Sequence, residues 1–157
     1  MDTPLFINAC QKYRNVVKHD MAFFQLCCDH LGFLVSEYGF DVKCNRWGGP
    51  EFGPGISFSN DSIKISVDML GLYGLPVLIV RSVPHPNRLF KLSRLAEKYG
   101  FENDMSFRFD DEVDKEVMLR QYNDAIEDRI TRFGVCIHDS IDLIMTALRY
   151  EDFAASS

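Results

Sequence analysis

ISFSNDSIKISV, residues 56–67, carries apolar side chains at Ile56, Phe58, Ile63, Ile65 and Val67, with Asn60-Asp61 between the two runs. Alternation with a period of two marks a half-buried strand, and a polar pair between two such runs marks an antiparallel hairpin. With Asn60-Asp61 as a two-residue tip, Ser59 faces Ser62, Phe58 faces Ile63 and Ile56 faces Ile65. Every apolar residue then lies on one face of the hairpin.

The same period extends upstream, with Phe40, Val42 and Cys44 on one face and Asp41, Lys43 and Asn45 on the other. Four glycines and two prolines crowd residues 48–55 in between. Gly48 and Gly53 have the spacing of a phosphate loop, but Pro54-Gly55 stands where the Lys-Ser/Thr pair belongs, and a strand rather than a helix follows. The stretch reads as a long hairpin connection, with Trp47 and Phe52 exposed at its rim. Downstream, Gly71 to Pro76 is another reversal, and Val77-Leu78-Ile79-Val80, apolar on both faces, suits a central or doubly covered strand.

Helical patterns flank this meander. Thr3-Pro4 begins a first helix running to about Lys18, and Asp20 caps a second that turns Phe23, Phe24, Cys27, Leu31, Leu34 and Tyr38 inward. Gly39 ends it. The phrase L-x-x-x-Y-G-F recurs at 34–40 and 95–101. Shared helix-stop chemistry, a left-handed glycine followed by a Phe folding back, accounts for it better than internal duplication. Asn87 starts a helix bearing Leu89, Phe90, Leu92, Leu95, Ala96 and Tyr99, closed by Gly100, and Met105 to Phe109 is a short edge strand. From Asp111 to about Tyr150, Leu119, Tyr122, Ile126, Ile130, Phe133, Ile137, Ile141, Ile144 and Leu148 recur every three or four residues. One helix of about 40 residues would be about 60 Å long, against a radius of gyration of roughly 15 Å for such a domain. A break or kink near Gly134, giving two packed helices, is therefore expected, unless the stripe is a dimer seam.

The fold class is α+β, one domain over 1–157: N-terminal helices in 1–39, an antiparallel β-meander of three to four strands in 40–83, and C-terminal helices in 87–153, packed on the apolar face. An apolar content of 46% excludes disorder from low hydrophobicity. Five cysteines, an odd number, and an opening Met1-Asp2-Thr3-Pro4 without a leader pattern fit a reduced, cytoplasmic protein. No apolar run reaches the ~18 residues of a membrane span.

Net charge is -6, which disfavours direct nucleic-acid binding. Between Glu102 and Glu116 lie seven acids (Glu102, Asp104, Asp110, Asp111, Glu112, Asp114 and Glu116) and two bases (Arg108 and Lys115), a local -5 that leaves about -1 for the rest. Carboxylates at a helix start oppose the positive dipole end, which explains two or three of these acids but not all. The segment reads as a docking face for a basic protein partner, aided by Trp47, Glu51 and Phe52, since gathered charge speeds capture and orients docking.

No residues present a catalytic or metal signature. Cys27-Cys28-Asp29-His30 lacks a second ligand pair, and buried thiols commonly serve as small hydrophobes. His138-Asp139-Ser140 are consecutive, so a helix fans them about 100° apart and leaves an ordinary helix surface. No cofactor is expected. The alternatives are a homodimeric structural protein built on the Leu119–Leu148 stripe, or a small enzyme whose site is assembled from residues distant in sequence.

The stretch Leu34-Val35-Ser36-Glu37-Tyr38-Gly39-Phe40, followed by Ile56 to Asp61 and Ile63 to Val67, resembles small cytoplasmic immunity-type proteins of bacterial polymorphic toxin systems. The likeness lies in the layout of helix, YGF-like stop, meander and closing helices, over roughly residues 30–82. It implies stoichiometric neutralisation of a toxin domain without catalysis, and assigns no binding residue.

Overall fold

A computed structural model describes residues 18–46, 53–69, 74–102, 107 and 112–150. The order is α1 (Lys18–Leu31), α2 (Phe33–Ser36), β1 (Asp41–Arg46), β2 (Pro54–Ser59), β3 (Ile63–Met69), β4 (Pro76–Ser82), α3 (Ser93–Tyr99) and α4 (Lys115–Tyr150). The expected first helix and the Met105–Phe109 strand fall outside the described residues, apart from Lys18 and Phe107.

The four strands form an antiparallel meander in the order β1-β2-β3-β4. Val42, Cys44, Ile56, Phe58, Ile63, Ile65, Val67, Leu78 and Val80 are all buried on one face, as the alternation requires. The hairpin register differs from the expected one. Phe58 pairs with Ile65 and Ile56 with Val67, so Asp61-Ser62 forms the tip. The cause is the Asn60 side chain: its Oδ1 accepts from the N–H of Ser62 and of Ile63, each at 2.8 Å, and the Asn60 N–H donates to the Ile63 carbonyl at 3.0 Å. Asn thereby closes the turn from its first corner instead of standing inside it. Each residue shifts its partner by two positions, so no side chain changes face.

Both helix stops behave alike. Gly39 (φ 71) and Gly100 (φ 74) are left-handed. Phe40 N–H donates to Leu34 O and Phe101 N–H to Ala96 O, each at 2.9 Å, and both rings are buried. Helix α1 starts at Lys18, so Asp20 sits inside its first turn rather than at the cap. Pro54 and Gly55 belong to strand β2, Pro54 at its first position, where a missing N–H is tolerated. Of the glycine-rich stretch, Gly53 lies just before the sheet and Pro54-Gly55 within it, and residues 47–52 lie outside the described residues.

Two expectations about the C-terminal half are corrected. No helix starts at Asn87. The chain turns at 85–88, with Arg88 N–H donating to His85 O, and then runs beside β4: Leu89 bridges Arg81, and Phe90 N–H donates to Val80 O at 2.8 Å. Those bonds occupy the outer edge of β4, which is the last strand of the sheet rather than a central one. The helix begins only at Ser93.

Nor does the last helix break at Gly134. Helix α4 runs for 36 residues, about 54 Å. A Cβ at Gly134 would stand 2.7 Å from the His30 carbonyl oxygen and 2.9 Å from the His30 Cβ. Gly134 therefore serves the close crossing of α1 over α4. Together α1, over β2, and α4, over β4, cover the apolar face of the sheet. Tyr122, Ile126, Ile130, Phe133, Ile137, Ile141, Ile144 and Leu148 are buried there, within the chain's own core. The excess length projects beyond that core: Lys115 to Gln121 hold no fully buried side chain, only Met118 being half-buried, and Leu119, expected inward, is 41% exposed. No helix among the described residues is long and apolar enough to cross a membrane.

Candidate functional site

The acidic segment is held by two elements. Glu102 follows the α3 stop, while Glu112, Asp114 and Glu116 lie at the start of α4, where Asp114 O accepts the Met118 N–H at 2.9 Å. All four carboxylates are exposed. Asp104, Asp110, Asp111, Trp47, Glu51 and Phe52 lie outside the described residues.

The structure does not gather the four into one patch. Glu102 shares a recess of 240 Å3 with Leu75, Gly100, Phe101, Ala125, Asp128, Arg129 and Arg132. Asp128 is twelve residues beyond Glu116, or about 18 Å along the helix. That separation exceeds the ~8 Å screening length at physiological salt, so the two groups act as separate charges. What joins them is α4 itself. Its solvent side exposes Asp124, Glu127, Asp128, Asp139 and Asp142 besides Glu116, against Lys115, Arg120 and Arg132. The sequence reading missed this strip by weighing consecutive residues; counting acids at helical spacing would have found it.

The strip is partly neutralised. Arg132 Nε stands 2.9 Å from Asp128 Oδ2, and its Nη1 donates to Tyr99 O at 3.3 Å. Tyr99 donates its hydroxyl proton to Asp139 Oδ2 at 3.2 Å. Glu112 has an intramolecular partner of its own. These contacts, with the edge-on Phe101–Phe133 ring pair at 4.9 Å, fasten α3 to α4. On the other side of the same turn an open cleft of 720 Å3 is lined by Leu92, Ser93, Ala96, Glu97, Gly100, Phe101 and Glu102.

The cysteine and histidine clusters disperse. Cys27 and Cys28 are buried free thiols, and burial pushes the Cys27 thiol well up from its ordinary value, with Cys28, Cys44 and Asp68 adding to the effect. His30 Nε2 lies 3.3 Å from Thr131 Oγ1 at the helix crossing. Among the described residues no three His, Cys, Asp or Glu side chains are grouped to hold a metal ion. His138 packs against Phe33 (ring centroids 5.0 Å apart) and approaches Asp139, whereas Ser140 is buried rather than on the helix surface.

Compared with known proteins, the chain matches no family profile, no curated protein and no solved structure.

Proposed function

We propose that the chain is a non-enzymatic protein-binding module that engages a basic partner through the projecting start of α4 and the acidic strip that continues from it. On this reading it works as an immunity-type protein, covering a cationic toxin domain with carboxylates that stand where the toxin holds substrate phosphates. The observation that supports it most is the first two turns of α4. They hold no fully buried side chain, follow exposed Asp114, carry exposed Glu116, and expose Val117 and Leu119 beside it. Apolar side chains amid charge give an interface desolvated contacts as well as steering.

The test immobilises the native chain beside a variant carrying Glu102→Lys, Asp114→Lys and Glu116→Lys, and offers both a lysate of the native host. The expected outcome is a basic protein held by the native chain, released as salt rises, and not held by the variant at unchanged thermal stability. Equal retention by both, or none by either, ends the proposal.

A further inference from the structure

We infer that the second face of the sheet, opposite the helices, holds an oxyanion site for a phosphate group, built on Lys64 and Arg81. The register places Asp41, Ser59, Lys64 and Arg81 in one row across the four strands, with Lys64 directly opposite Arg81. Residues so paired point to the same face with Cα atoms about 4.5–5.5 Å apart. Two like charges in that relation destabilise a sheet. Among the described residues neither side chain has an ion pair, and Arg81 Nε is shut away from solvent with no hydrogen-bond partner.

The other described charges on this face do not compensate. Asp41 stands two strands, about 9.6 Å, from Lys64. Asp68 is buried farther along β3 and has its own partner. Lys43, on β1 in the next row, stands farther away still and adds nothing to the pair. Two facing cations without an ion pair among the described residues are unexpected in a chain of net charge -6. A bound phosphate supplies the missing counter-charge: its oxygens take the guanidinium fork on two N–H groups, the ammonium on a third, and the hydroxyl of half-buried Ser59 beside Lys64. Swinging Arg81 toward Lys64 breaks no internal bond of its Nε. Phosphate, rather than a carboxylate, fits two cations converging from adjacent strands because it carries up to two charges and presents oxygens in three dimensions.

The probes are inorganic phosphate and phosphoserine, titrated at constant ionic strength against chloride and followed by amide chemical shifts. The expected result is saturable binding that moves Ser59, Lys64, Ser66 and Arg81. Lys64→Gln and Arg81→Gln each weaken it at least about tenfold, and Lys91→Gln leaves it unchanged. In chloride alone both site variants unfold at a denaturant concentration no lower than the native chain, which shows that they are folded. Tighter binding of phosphoserine than of inorganic phosphate identifies a side-chain phosphoryl group as the ligand, and equal binding identifies free phosphate. No saturable binding of either probe, or equal affinity in the Lys64 and Arg81 variants, overturns the inference.

Discussion

A glycine inside a helix serves opposite ends, and Gly134 shows which one prevails here. As a helix-interior residue it costs about 1 kcal/mol relative to Ala, so Gly134→Ala gains that much if nothing faces it. The His30 backbone does face it, closer than any Cβ tolerates. Forcing α1 and α4 apart costs about 1–3 kcal/mol. The expected outcome is net destabilisation, read as a lower urea midpoint; a higher midpoint would mean that the crossing yields. Gly39 and Gly100 were legible in the sequence because a helix stop is decided by its own neighbours. The role of Gly134 was not, because it is decided by a residue about a hundred positions away.

Cys136 carries a second expectation at this scale. Burial pushes its thiol up to about 11, against a hydrogen bond from Ser140 that lowers it and with Asp139 raising it further. The folded chain therefore keeps a proton that the unfolded chain begins to release near pH 9. The stability this contributes is complete below pH 9 and is lost as pH rises to about 11. Denaturant midpoints of the native chain and of Cys136→Ala should accordingly converge across that window. A difference that stays constant would mean the thiolate is tolerated in the fold.

Among the elements, the β2–β3 hairpin and α4 share a lesson. Period and polarity located both, because burial on one face imposes the pattern directly. Their finer geometry followed from facts that periodicity does not contain: the Asn60 side chain replaces a backbone bond, and the core is shorter than the helix laid on it. Asn60→Ala removes the acceptor for two N–H groups. It is expected to cost about 1–2 kcal/mol in chemical denaturation, whereas Asn60→Asp, which keeps the acceptor, costs less. Along α4, Ile130→Ala, at a fully buried position, should cost about 2–5 kcal/mol and Leu119→Ala well under 1. Comparable losses would place the first turns inside a core. Amide exchange should give the same answer independently, fast over 115–121 and slow over 126–144.

For the whole molecule, charge is sorted by layer. Acids line the solvent side of α4, and among the described residues Lys64 and Arg81 face each other without ion pairs on the second face of the sheet. The consecutive acids were visible in the sequence as a local excess. Their division between the α3 turn and the helix start was not, since separation depends on where α3 docks. The Lys64–Arg81 pairing was hidden because period and polarity locate β3 and β4 without fixing the register between them. A molecule sorted in this way should bind cationic and anionic probes at different sites. Saturating phosphate should leave retention of a basic partner on α4 unchanged, and strict competition between the two would show that one surface serves both.

The meander order has a consequence for synthesis. Each strand pairs with its immediate predecessor, so the sheet assembles in the order in which the chain leaves the ribosome, with short loops to close. Helix α1 is already available to shield β2, but Leu78 and Val80 on β4 wait for α4, which is made after every strand. A nascent chain thus presents a greasy, half-roofed platform for as long as those 36 residues take to emerge. That interval is when a holding chaperone has most to grip, and a stop codon placed before α4 should yield inclusion bodies rather than a smaller folded protein.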